Sequence, residues 1–460
     1  MANRDDRREL DMSLVNSVNR SRQRVTTRDD YHTSRYYEED KTSDNHRRNV
    51  YNDNKGDNNR NHKRDMKNTS HRKKRKKKGH RVLRTVLGFI LVNAMLLFLA
   101  VKFVPGAKEF LIIHAGGPLL KCFVSEEEYN NIFDSQFGDG DIVVNEGVNR
   151  DKFKGFYTIA LFGVDARDGK LDSGVNSDSI IIVCINQDTG KVVMSSVYRD
   201  TWLQIASNDD EVRYRKINSA YSTGGAKSVI NTLNMNLDLN ISDYVTVNFQ
   251  GLATIIDKLG GLDLTITEDE KYYINHYIDE TSQVTGIESE RVTESGQVHL
   301  DGIQAVSYCR IRYCTFYYPD GTSVSNDMGR AARQRYVLSL MVEKAKKAGV
   351  SEVLDIVKQV FSGEENIIRT SISYDDMIEM IPVFLEFELG ETKGFPFTYD
   401  FPDSSITNGQ SALVPGGLVY NVRKLHSFLY GEDDYIPSDK VINIDSQLKK
   451  KTGIEDIEMK

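Results

Sequence analysis

Residues 82 to 104 read VLRTVLGFILVNAMLLFLAVKFV, and no other stretch constrains the chain so strongly. Between Thr85 and Ala100 there is no charged side chain, and Asn93 is the only strongly polar one. A bilayer crossing takes roughly 20 mostly apolar residues. Arg84 and Lys102 stand near the ends, where long cationic side chains can reach the headgroups. A buried core helix is the competing reading, but core helices rarely follow a run such as RKKRKKKGHR, residues 72 to 81. Positive charge beside a span stays cytoplasmic. The expectation is therefore a single-pass anchor in the cell membrane (type II), with the N-terminal tail inside and everything after about residue 105 outside. A cleaved signal peptide fits less well: 81 residues precede the apolar run, and no small-x-small cleavage pattern follows it.

Charge divides along the same line. Residues 1 to 81 hold 24 Lys and Arg against 13 Asp and Glu, whereas the rest hold 36 against 54. A basic front and an acidic body suit two environments rather than one nucleic-acid-binding protein. The tail is poor in apolar residues and is expected to be disordered. It carries no folded DNA-binding motif, so no nucleic-acid partner is expected. Its basic run could be a nuclear-localisation or nucleic-acid patch, but its place against a span makes topology and anionic-lipid attraction the simpler cause.

Past a connecting region from 105 to 154 the pattern becomes globular. FYTIALFGVDA reads as a buried strand entering a loop. SDSIIIVCINQDTGKVVMSSVYRD reads as a hairpin turning at Asp188-Thr189-Gly190. KINSAYSTGG is a loop before the helix AKSVINTLNMNL; DYVTVNF and LDLTITE are strands around the helix QGLATIIDKLGG. Residues 269 to 298 are polar and read as a surface loop. LDGIQAVSYCRIRY reads as a short helix and then a strand, DMGRAARQRYVLSLMVEKAKKAG as a long amphipathic helix, and helices follow near 351–361 and 374–386. The last 25 or so residues are charged and read as loose. Strands and helices intermix, so the fold class is α/β or α+β.

Cys122, Cys184, Cys309 and Cys314 show no zinc-ligand spacing. Cys309 and Cys314 could bridge only where the chain bends between them.

Charged residues gather just past apolar strands: Asp165 and Arg167, Asp178, Arg199 with Asp200, then Arg310 and Arg312. On a strand, Arg310 and Arg312 share a face. In the long helix, Asp327, Arg330 and Gln334 are spaced to share a face, while Val337, Leu338, Leu340 and Met341 suit packing on the opposite side. Single charges at strand ends are commonly solvated caps, and a lone Asp–Arg pair on a helix is worth little. Converging arginines call for an anion, and phosphate or diphosphate suits the guanidinium fork. Carboxylates in the same place call for a cation, and Mg²⁺ is commonly held by one or two carboxylates plus substrate phosphates. A metal diphosphate reconciles both sets of charge.

The ordered segments LFGVDARDG, NSDSIIIVCIN, SSVYRDTW, KINSAYSTGG, LGGLDL, LDGIQAVSYCRIRY and DMGRAARQR resemble the LytR-CpsA-Psr family of bacterial cell-envelope proteins. The resemblance runs from about residue 155 to at least 345, and more weakly to 390. It implies a central mixed sheet between helices and a hydrophobic groove for a polyprenyl chain. It also implies transfer of a glycopolymer from an undecaprenyl-diphosphate carrier to peptidoglycan, as a phosphodiester at the 6-hydroxyl of N-acetylmuramic acid, assisted by Mg²⁺. By matching motifs, Asp165 and Asp178 would hold the metal. Arg199, Arg310 and Arg312 would contact the diphosphate, and Asp327, Arg330 and Gln334 would complete the site, with Lys216 a further substrate-binding candidate. The implied organisation is a tail (1–81), a transmembrane helix (82–104), a connecting region (105–154), a catalytic domain (155–390) and a C-terminal extension with a charged tail (391–460).

Two residues depart from the family pattern. Asn176 stands where an arginine is usual, and Tyr198 where a proline is usual. No Ser–His–Asp or Cys–His arrangement is evident, so direct attack by a sugar hydroxyl is expected. Asp200, Asp327 or no dedicated base could take its proton. Two other readings use the same residues: a lipid-diphosphate hydrolase with water as acceptor, and a non-catalytic polyprenyl-phosphate-binding envelope protein. The polymer stays open among teichoic acid, capsule and other wall polysaccharides.

Overall fold

β1 (Phe156–Val164) and β2 (Ser177–Asn186) are apolar on both faces, as strands between two layers must be. β2 divides its side chains by period two. Ile180, Ile182 and Cys184 enter one core cluster, whereas Ile181, Val183 and Ile185 enter another. β3 (Lys191–Val197) returns antiparallel to β2 after the turn at Asp188–Gly190, as the sequence predicts. β6 (Asp243–Asn248) lies parallel to β1, and β11 (Ile368–Thr370) and β12 (Glu388–Phe395) take the two edges. The sheet order is β11-β6-β1-β2-β3-β12, a mixed sheet. This is a computed structural model, and it describes residue 137 and residues 141–166, 171–207, 211–361 and 366–458. The expected membrane span, the basic tail, Cys122 and Arg167 lie outside the described residues. Among the described residues, no helix is long and apolar enough to cross a membrane.

Helix α1 (Asn218–Leu237) breaks at Gly224–Gly225, so part of the expected loop is already helical. On its side of the sheet lie α8 (Leu418–Tyr430) and α9 (Asp439–Thr452). The other side carries α2 (Phe249–Lys258), α3 (Glu268–Thr285), α4 (Gly302–Arg310), α5 (Asn326–Ala348), α6 (Val350–Phe361) and α7 (Tyr374–Glu386). Short pairs complete the fold: β4 (Trp202–Ile205) with β5 (Arg213–Lys216), β7 (Leu262–Ile266) with β8 (Gly296–Leu300), β9 (Phe316–Tyr317) with β10 (Ser323–Val324), and β13 (Tyr399–Asp400) with β14 (Val414–Pro415).

Four expectations are corrected. The YCRIRYC strand is the end of α4, which runs through Arg310 before Ile311 turns extended. Asp301 and Gln304 form a capping box at its start, and that cap sets the helical register. Residues 269–298 are mostly helix: Thr267 and Glu270 form a second capping box, and Ile274, Ile278 and Thr281 bury a narrow stripe of α3. Much of the C-terminal stretch expected to be loose is packed helix, because α9 (Asp439–Thr452) buries Val441, Ile444 and Leu448. Residue 390 is no boundary, because β12 spans it as an edge of the central sheet.

Candidate functional site

Antiparallel pairing brings the end of β1 beside the start of β2, with Val164 opposite Ser177. Asp165 and Asp178 therefore leave the same edge of the sheet, and both line one cavity of about 360 Å³. β3 ends at that edge too, and Tyr198-Arg199-Asp200 follows it. Arg199 Nη1 donates to Asp178 Oδ1 at 2.6 Å. Its Nε lies 3.5 Å from Asp327 Oδ1 and 3.9 Å from Asp200 Oδ2. Burial pulls the Arg199 guanidinium down, but Asp178, Asp327 and Asp200 outweigh it and the net shift is upward.

Helix α5 supplies the second half. Asp327 Oδ1 meets Arg330 Nη2 at 2.7 Å and lies 3.9 Å from Arg312 Nε. Three guanidiniums thus face one carboxylate oxygen. Arg330 also donates to the Asp178 carbonyl at 3.3 Å. Burial pushes its pKa down to about 10, with Arg199 and Arg312 adding to the fall and Asp327 opposing it. Gln334 donates to the Cys309 carbonyl at 3.5 Å and lines the cavity.

The expected packing face of α5 is corrected. Val337, Leu338 and Met341 line the same cavity as Arg330 and Gln334. They lie three, four and seven residues after Gln334, so they continue its face. The helix carries one stripe, polar at its start and apolar further on. Leu161, Ile181 and Leu252 extend the apolar wall. The cavity therefore joins a charged mouth to a greasy interior.

Arg310 and Arg312 both line this cavity but are not strand neighbours. Arg310 donates to Thr281 Oγ1 and to Glu280 Oε2, each at 2.8 Å. Its guanidinium also lies 4.9 Å from the Phe249 ring centre and 5.1 Å from that of Tyr277. It is anchored to α3, while Arg312 leans to Asp327. Lys216 lies outside the cavity lining and pairs with Asp200 at 2.9 Å. Sequence reasoning missed Glu280, Thr281 and Tyr277 because it read their segment as a loop. The Thr267–Glu270 capping box was the available signal.

Among the described residues, no group of three or more His, Cys, Asp or Glu gathers as a metal site. Two carboxylates on one cavity nonetheless suit a hard divalent cation that takes its remaining oxygens from phosphate and water. Cys184, Cys309 and Cys314 are free and buried.

The model of the LytR_cpsA_psr family matches residues 127–410. Biofilm regulatory protein A of Streptococcus mutans is 36% identical over 194 residues, covering 41% of this chain and 44% of its own length. The polyisoprenyl-teichoic acid–peptidoglycan teichoic acid transferase TagV of Bacillus subtilis is 28% identical over 288 residues, covering 61% of this chain and 66% of its own. The chain thus spans between about half and two thirds of these curated relatives' lengths. The crystal structure of B. subtilis TagV aligns with a TM-score of 0.45 at 23% identity, over 62% of this chain and 99% of that one.

Proposed function

Since this chain belongs to the LytR-CpsA-Psr family, we propose that it is a membrane-anchored phosphotransferase that moves a glycopolymer from an undecaprenyl-diphosphate carrier onto peptidoglycan. One observation carries the reading. Arg310, Arg312 and Arg330 share a cavity with Leu338, Met341 and Leu252, and a lipid diphosphate has those two chemistries joined end to end. The printed names of relatives such as TagV, a teichoic acid transferase, support the same class.

The donor's prenyl chain lies along the apolar wall and its diphosphate at the mouth. The 6-hydroxyl of N-acetylmuramic acid attacks the glycan-linked phosphorus. The new P–O bond forms as the bond to the bridging oxygen breaks, and undecaprenyl phosphate leaves. Such chemistry needs alignment and charge neutralisation more than a covalent nucleophile. Arg199, Arg312 and Arg330 stabilise negative charge on the phosphoryl oxygens. Asp165 and Asp178 would hold Mg²⁺, which supplies Lewis-acid neutralisation of the diphosphate when bound.

The acceptor proton goes to Asp200. Asp327 is engaged by three guanidiniums and Asp178 is assigned to the metal, whereas Asp200 has one close partner, Lys216, and Arg199 at 3.9 Å.

The test incubates the full-length chain in detergent with a polyprenyl-diphosphate-linked sugar and a peptidoglycan oligomer, with and without Mg²⁺. Mass spectrometry should find a phosphodiester-linked conjugate that requires Mg²⁺. Arg330→Ala should abolish it, and Asp200→Asn should lower turnover by about 10²-fold or more, the size of a general-base contribution. Free sugar phosphate without conjugate would mean hydrolysis. Tight donor binding without turnover would mean a binding protein.

A further inference from the structure

We propose that Tyr198 is a positioning residue for Arg199. Its ring is a wedge against β12, linked through Tyr399 to α5, that fixes where the Arg199 guanidinium meets Asp178 and Asp327. The inference rests on the reading of Arg199 as a donor-phosphate ligand.

The backbone around Arg199 is fastened on two sides. The Tyr198 N–H donates to the Phe395 carbonyl of β12 at 2.9 Å, and the Tyr198 carbonyl accepts from Thr201 N and Oγ1 at 2.9 and 2.6 Å. The Arg199 carbonyl accepts from Asn218 N, at the start of α1, at 3.2 Å. A guanidinium leaving this turn is aimed by how residue 198 seats.

The seat is made of three parts. Gly394 of β12 leaves the space that the Tyr198 phenol fills, and a Cβ there would collide with the hydroxyl and the ring carbons. The Tyr399 ring meets the Tyr198 ring edge-on, with centres 6.5 Å apart. Tyr399 in turn contacts Met328 Sδ through its hydroxyl at 2.9 Å, one residue after Asp327. The third part is Arg335 on α5, which is 1% exposed. Arg335 Nη2 donates to the Tyr318 hydroxyl at 3.0 Å, but its Nε and Nη1 have no partner among the described residues. Burial raises the Tyr198 phenol to about 12, and the Arg335 charge opposes that rise. A buried guanidinium without a carboxylate is costly, and its charge acts on the phenol of the residue that precedes Arg199. Tyr198 thus packs on the strand and, through Tyr399, is tied to Met328 on the helix that carries Asp327.

The experiment uses the full-length chain in detergent, with geranylgeranyl diphosphate as probe and calorimetry as readout. Tyr198→Phe keeps the wedge and should bind like wild type. Tyr198→Ala removes it, and Gly394→Ala evicts it. Each should weaken binding about tenfold, the scale of a sub-ångström misplacement of a charged ligand. The Tyr198→Ala/Gly394→Ala double variant should bind no worse than Tyr198→Ala, because the collision partner is gone. A crystal structure of Tyr198→Ala should show Arg199 Nη1 moved away from Asp178 Oδ1. Should Gly394→Ala fail to fold, the comparison of Tyr198→Ala with Tyr198→Phe decides alone. Unchanged affinity in Tyr198→Ala, or an Arg199–Asp178 contact kept in its crystal structure, would overturn the proposal. A wild-type chain that does not bind the diphosphate would sink the donor reading, while the Tyr198→Ala structure would still decide the positioning.

Discussion

Asp327 is one carboxylate facing Arg199, Arg312 and Arg330. Like charges this close repel, and its oxygen holds them together. A diphosphate brings more negative charge to the same place, so Asp327 competes with it. Asp327→Asn should therefore cost about 2 kcal/mol of stability, because Arg330 stays buried with a weaker partner. It should also let inorganic pyrophosphate raise the melting temperature more than it does in wild type. Thermal melts with and without pyrophosphate check both, and an equal gain in the two proteins would remove Asp327 as the competing counter-ion. The Asp327–Arg330 pair was legible in the sequence because three-residue spacing on a helix places the two together. The neighbours of Arg310 were not, because Glu280 and Thr281 come from a segment some thirty positions away, and no local pattern encodes that meeting. Of the two departures from the family pattern, Asn176 is exposed. Tyr198 makes a backbone bond to Phe395 that a proline, lacking an N–H, could not make.

At the scale of elements, strands with apolar runs and the long helix α5 were readable because one period dominates each. The failures share a cause. Helix α3 buries only a narrow stripe under a polar surface, and α4 carries charged and aromatic residues at its end, so composition argued for loop and strand while the capping boxes argued for helix. The junction of α8 with α1 shows what tertiary contact adds. His426 on α8 is 1% exposed, its Nε2–H donates to the Leu237 carbonyl at 2.9 Å, and it stacks on Tyr435 with centres 3.5 Å apart. Burial lowers its pKa from 6.5 to about 4, against the opposing Leu237 bond and the charges of Asp238 and Glu432. The unfolded chain binds this proton below about 6.5 and the folded chain only near 4. Stability from His426 is therefore complete above the upper value and is lost on acidification toward the lower one, by roughly 3 kcal/mol. Urea denaturation from pH 7 to 4.5 should show this slope, and His426→Gln should flatten it. An unchanged slope in the variant would place the acid sensitivity elsewhere.

For the whole molecule, the central sheet decides what can be removed. Its strands were readable one by one, but their order was not, because β12 pairs with β3 across almost two hundred residues. The resemblance read from the motifs weakens toward residue 390, and the boundary drawn from the sequence falls there, whereas the family model runs on to residue 410. The fold continues past it. Phe395 ends the edge strand, and Leu418, Val422, Leu425, Val441, Ile444 and Leu448 enter the same core cluster as Ile180 and Phe162. Each buried side chain of this size contributes roughly 1.5–3 kcal/mol, so losing all of them removes an amount comparable to the roughly 5–15 kcal/mol by which a domain is stable. The candidate site depends on this segment as well, since the Tyr198 N–H donates to the Phe395 carbonyl and the Asp200 backbone carbonyl accepts from Leu413 N at 3.0 Å. A chain ending at residue 390 should therefore lose its cooperative melt and its affinity for geranylgeranyl diphosphate together. A chain ending at residue 458 should keep both. Circular dichroism melts and calorimetry on the two truncations make the comparison. A cooperative, diphosphate-binding protein ending at 390 would mean that the site is held by the first five strands of the sheet alone, and that the C-terminal helices serve some other end.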